Sequence, residues 1–113
     1  MSGAFVIGEE TAWETVGEGI ERQLLGHDGE LMLVRVRFRA GAAGTRHNHP
    51  HRQVTFVESG VFRVEVGGEE RTLRAGDSFF ALPEVWHGVR AVEAGSLLDV
   101  FTPARLDFLG GTA

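Results

Sequence analysis

The sequence predicts an all-β fold, a small barrel or sandwich. Three observations predict it. The apolar segments are short and often alternate with period two. Glycine is frequent, 16 of 113 residues, and recurs between those segments. No stretch across the middle of the chain carries a helical stripe. The length suits one domain, taken as residues 1–113.

The elements follow in order. Phe5, Val6 and Ile7 read as a strand, and Trp13 as an anchor packed on the barrel. Ile20 to Leu25 reads as a strand that ends at the His27-Asp28-Gly29 turn. In residues 31–39, LMLVRVRFR, one face carries Met32, Val34, Val36 and Phe38 and the other Arg35, Arg37 and Arg39. That arginine face is either a positive interior wall or a solvent-facing surface paired with Glu65 and Glu69 or Glu70. Residues 53–58 and 61–66 bracket Ser59-Gly60, a predicted hairpin turn. Gly67-Gly68 and Ala75-Gly76-Asp77 mark further turns, with strands at 70–73 and 78–82. Strands at 85–92 and 97–102 complete the set, and Pro103 to Leu109 is predicted as a short helical turn.

Composition excludes several function classes. The net charge of -5 argues against nucleic acid and anionic membranes as partners. With no cysteine there is neither a disulfide nor a thiolate site. All eleven basic residues are arginine, so Schiff-base chemistry is excluded as well. No leader and no long apolar span stand out, and the expected location is the cytoplasm.

The chemistry-bearing residues cluster. His47, His49 and His51 fall within RHNHPHRQ. In extended chain His47 and His49 point to one side, where two imidazoles can share an ion. Pro50 restricts the backbone, so His51 need not continue on that face. Gln53 follows, and His87 lies in a second segment, PEVWHG. Imidazole suits zinc, iron, nickel and similar ions, with a carboxamide oxygen as a weaker neutral donor. A divalent ion on such neutral donors keeps its charge, which makes it a Lewis acid and a binder of anions. Trp86 is either a pocket wall or rim packing.

The two segments resemble the cupin superfamily. Gly41, His47, His49, Gln53 and Gly60 stand at the spacings of its first motif, and Gly76 and His87 at the ends of its second. Leu82 stands where a proline is usual and Glu84 where a glycine is usual, and the closing asparagine falls at Ala91. The resemblance covers residues 31–101 and implies a double-stranded β-helix, the jelly-roll barrel. It also implies one divalent transition metal ion (Ni, Zn, Fe, Mn or Co) held by His47, His49, Gln53 and His87, and a homodimer. His51 matches no general ligand of that superfamily.

A narrower resemblance is to the KdgF family of small cupins, carried by HNHPHRQ, by LLDVFTPARLDFL and by Trp13 with Arg22-Gln23. Arg52 and Leu106 depart from acidic positions common there. This resemblance implies metal-dependent conversion of 4,5-unsaturated uronate monosaccharides, from pectin or alginate, to linear keto-uronates. The partner would be a small acidic sugar. Two other readings stay open: a cupin that binds a sugar or other anion without turnover, and an iron- or manganese-dependent dioxygenase. Asp99 and Phe101 alternate on one face of an otherwise apolar strand. Asp99 reads as a general acid/base beside the metal or as a turn-bonded carboxylate, and Phe101 as pocket wall or core. Arg105 reads as the partner of a substrate carboxylate or as a surface cation.

Overall fold

Two long bent strands organise the molecule, a computed structural model that describes residues 1–109. In chain order the strands are β1 (Glu14–Gly17), β2 (Ile20–His27), β3 (Met32–Phe38), β4 (Ala43–His47), β5 (Arg52–Val66), β6 (Glu69–Arg74), β7 (Ser78–Ala81) and β8 (His87–Thr102). The sheet order is β1-β2-β3-β8-β5-β6, with β4 also on β8 and β7 also on β5. All pairs are antiparallel. β5 and β8 pair from Arg52 opposite Thr102 to Val66 opposite His87. Each therefore belongs to both halves of the barrel, which is the expected jelly-roll closure.

The predicted Ser59-Gly60 hairpin is instead a bend inside β5, and the strands predicted at 85–92 and 97–102 are one strand, β8. The reason lies in the burial pattern. Gln53, Thr55 and Val57 face inward, and after the bend Phe62 and Val64 do. One extra residue changes the parity, as a β-bulge does, and the pairing with β8 shifts between Val57 and Phe62. Locally that change looks like a turn. The two strands approach so closely here that a Cβ on Gly60 would lie 2.6 Å from the Ala94 carbonyl oxygen, and Gly60 sits at φ 85°.

Other expectations need correction. Residues 5–7 form no strand, and Phe5 is exposed. A short 3-10 turn, Gly8–Glu10, follows, and buried Gln23 pins this region by donating from Nε2 to the carbonyls of Gly8 (2.6 Å) and Thr11 (3.0 Å). β1 and β4 are additional strands. The tail turn is a 3-10 turn at Leu106–Leu109, shorter than the predicted 103–109 because residues 103–105 stay irregular. The Gly67-Gly68, Gly76-Asp77 and Asp28 turns stand where expected; Asp28 Oδ1 accepts from the N–H groups of Glu30 and Leu31.

Inside the barrel, Ile20, Phe38, Val57, Phe62, Val64, Phe79, Ala91 and Leu97 pack as one cluster. Met32, Val34, Phe101 and Ala104 form a second. The arginine face of β3 points outward: Arg35 pairs with Glu58, and Arg37 with Glu21, both at 3.0 Å. The partners differ from those the sequence suggested. Arg37 also stacks on Trp13, 3.8 Å from the ring centre, so Trp13 does anchor the early segment. No helix among the described residues is long and apolar enough to cross a membrane.

Candidate metal centre

The cavity of about 150 Å³ at the mouth of the barrel draws residues from many strands. His47 ends β4, and His87 begins β8 directly opposite it. His49 sits in the connection to β5, held where its carbonyl accepts from the Glu84 N–H at 2.8 Å. The ligand atoms of His47, His49 and His87 lie within 4.8 Å of one another. His47 is exposed and the other two are buried, so the cluster is reached from the His47 side.

Backbone carbonyls set the tautomers. Nδ1–H of His47 donates to Thr45 (2.7 Å), that of His87 to Val85 (2.9 Å) and that of His49 to His51 (3.0 Å). Each Nε2 is left with a lone pair facing the others. The buried Nε2 of His87 has no hydrogen-bond partner. His49 Nε2 lies 3.0 Å from Gln53 Oε1, so two acceptors face each other. Protonating His49 would relieve the clash, but burial, aided by repulsion from Arg105 and His87, pushes its pKa down to about 4. Burial, with the charges of His47 and Arg105, also lowers His87. Converging ring nitrogens with an orphaned buried lone pair fit a cation. The cluster is a site for a single divalent metal ion.

The other expected residues gather on the same cavity. Gln53, Asp99, Phe101 and Arg105 all line it. Gln53 Nε2 donates to Thr55 Oγ1 at 2.8 Å and to Asp99 Oδ1 at 3.3 Å. Burial pushes the Asp99 carboxyl up to about 6, against the bonds from Thr55 and Gln53. Arg105 holds Asp107 through Nε (3.1 Å) and Nη2 (2.9 Å) and lies over the rings of Phe108 (4.3 Å) and Phe101 (5.2 Å). It is a cavity residue rather than a free surface cation. Phe101 also packs in the Met32 cluster, so it serves both core and wall.

Sequence reasoning missed several lining residues. Arg22 lines the cavity, lies 3.8 Å over the Phe108 ring and pairs with Glu14 at 2.5 Å. Phe79 and Phe108 add aromatic walls. Buried Thr55 was missed because a threonine inside a strand is ordinary. His51 is not among the three clustered ligands; its ring meets His49 edge-on at 5.4 Å, and its Nδ1 has no partner. Trp86 is half exposed under Arg46, on the outer rim.

Comparison with known proteins agrees with this geometry. Residues 34–101 match the family described as "Cupin domain". The pectin degradation protein KdgF of Dickeya dadantii (strain 3937) is 44% identical over 107 residues, which cover 93% of this chain and 97% of that protein. An RmlC-like cupin from Shewanella frigidimarina NCIMB 400 superposes with a TM-score of 0.93 at 48% identity, covering 95% of this chain and 96% of that one. KdgF from a Halomonas species superposes with a TM-score of 0.90 at 43% identity, covering 95% and 99%. The chain belongs to the cupin family and is a small cupin closely related to KdgF, with the histidine cluster of a metal-dependent active site.

Proposed function

We propose that this protein opens the ring of 4,5-unsaturated uronate monosaccharides, released from pectin or alginate, and yields linear keto-uronates. One observation carries the reading. His47 and His87 of the histidine cluster line one cavity together with the Asp99 carboxyl, Arg105 and aromatic walls. The 44% identity to a pectin degradation protein supports the substrate class.

His47, His49, His87 and Gln53 Oε1 would hold the ion. When bound, it supplies Lewis-acid polarisation of the substrate's carboxylate and an adjacent oxygen. The rest falls to the chain. Arg105 takes the substrate carboxylate through its guanidinium edge not used by Asp107. The aromatic walls orient the ring and exclude water. Ring opening breaks the bond between C1 and the ring oxygen; the C1 hydroxyl loses its proton and becomes the aldehyde carbonyl. The ring oxygen takes a proton and becomes the C5 enol hydroxyl. Tautomerisation then moves that hydroxyl proton to C4, leaving a ketone at C5, and the net reaction is an isomerisation. Asp99 carries protons in this sequence. A carboxyl near 6 exchanges them readily at neutral pH.

The residues serve one domain, 1–113, and we place it in a homodimer in the cytoplasm. Val54, Phe56, Phe80 and Leu82 are exposed on the outer face, and Val54 stands beside both Phe80 and Val100. A contiguous apolar face of this kind suits an isologous contact with a second copy.

The test incubates metal-loaded protein with 4,5-unsaturated galacturonate and with its alginate-derived counterpart. Loss of the double-bond absorbance and appearance of the open-chain keto-uronate by NMR are expected, with no oxygen uptake. Asp99→Asn should abolish turnover and keep the metal. Unchanged substrate in the presence of stoichiometric metal overturns the reading.

A further inference from the structure

We infer that Thr55 is a positioning residue that sets the direction of the Gln53 amide and the placement of Asp99 together. Thr55 is fully buried on β5, on the same inward face as Gln53 and directly opposite Asp99 on β8. Its hydroxyl donates to Asp99 Oδ1 at 2.5 Å. The same oxygen accepts from Gln53 Nε2 at 2.8 Å, and Nε2 also reaches Asp99 Oδ1 at 3.3 Å. The amide thus donates on the side away from the histidines, one proton shared between the two oxygens. Oε1 is left facing His49 Nε2 at 3.0 Å.

The alternative amide orientation fails for a countable reason. A hydroxyl has one proton. Turned over, Gln53 would set Oε1 against Asp99 Oδ1 at the 3.3 Å now spanned by Nε2. Thr55 could then satisfy only one of two acceptors. An unpaired buried acceptor is costly, and that cost holds the amide in one orientation. With the hydroxyl gone, the amide loses its strongest constraint and Asp99 its shortest bond. Valine in its place would fill the same space, so packing alone predicts little change.

The inference rests on Gln53 as a metal ligand and Asp99 as the proton carrier. The experiment compares wild type, Thr55→Val, Thr55→Ser and Gln53→Leu for nickel affinity, by competition with a chromogenic chelator, and for kcat at saturating nickel. Thr55→Val should weaken nickel binding about 10- to 100-fold and lower kcat at saturation, while Thr55→Ser stays near wild type. Wild-type affinity in Thr55→Val alongside weakened binding in Gln53→Leu overturns the Thr55 role and leaves the ligand set standing. Wild-type affinity in Gln53→Leu overturns the ligand assignment, and the amide-orienting role with it. Should Thr55→Val not fold, the wild-type protein still decides. The bonded proton of the Gln53 side-chain amide, followed by ¹⁵N NMR, should exchange slowly, and fast exchange overturns the inference.

Discussion

The backbone N–H of Glu84 donates to the carbonyl of His49 at 2.8 Å, and Glu84 stands at φ 68°. The turn before His87 thus supports the ligand-bearing segment from a left-handed residue. Its carbonyl also accepts from Asn48 Nδ2 at 3.2 Å. This is the position where the cupin motif usually has glycine, and the left-handed backbone persists without it. A side chain there costs roughly 1–2 kcal/mol, partly offset by the greater freedom glycine has when unfolded. Glu84→Gly should therefore stabilise the protein by up to about 1 kcal/mol in urea unfolding. Nickel affinity should stay unchanged.

The crossing of Gly60 and Gly95 should tolerate no side chain. A Cβ on Gly60 would meet the Gly95 Cα at 2.7 Å, and φ there is already positive. Gly60→Ala and Gly95→Ala should each cost at least about 2 kcal/mol by thermal unfolding. Gly26→Ala, with nothing within 4 Å of its added Cβ, is the control that should melt near wild type.

Metal should stabilise the fold because its donors come from segments far apart in the chain. A free metal concentration about 100 times Kd contributes about 2.7 kcal/mol. For a domain of this size that corresponds to a melting temperature roughly 10 °C above that of the chelator-treated protein. His87→Ala should abolish the shift. His27→Ala should retain it, since His27 lies outside the cluster and bonds to the Leu25 carbonyl.

Arg22 and Arg105 share the Phe108 ring, at 3.8 Å and 4.3 Å from its centre. Arg105→Lys keeps the charge but loses the planar fork and the stacking. Steady-state kinetics should show KM raised about tenfold or more, the loss expected when a charge-assisted pair to the substrate weakens by about 1.5 kcal/mol. Arg22→Leu should raise KM less, because Arg22 stacks on the Phe108 wall and is not the proposed partner of the carboxylate.

The apolar outer face gives a test of assembly. Phe56 and Phe80 are about half exposed on neighbouring strands. Phe56→Glu with Phe80→Glu should convert the proposed dimer to monomer in light scattering, with the barrel's circular dichroism unchanged. A wild-type mass equal to one chain would remove the homodimer.

Much was determined by the sequence alone. Period-two alternation in residues 31–39 specified an inner face of Met32, Val34 and Phe38, because side chains in a strand alternate whatever the strand pairs with. The spacing of His47 and His49 suggested two imidazoles on one side by the same rule, but His49 lies past the end of β4, so its place beside His47 also depends on the Glu84 bond to its carbonyl. Tertiary structure alone decided the rest. Whether Ser59-Gly60 was a hairpin or a bend depended on a partner strand, since a bulge and a turn look alike until the pairing with β8 is known. The bond between Thr55 and Asp99 joins residues 44 positions apart, and it exists only because β5 and β8 pair in one register. Arg105 became a cavity residue through the rings of Phe101 and Phe108, and the metal cluster closed only when β4 brought His47 opposite His87. Local pattern sets which way a side chain points; register sets what it meets.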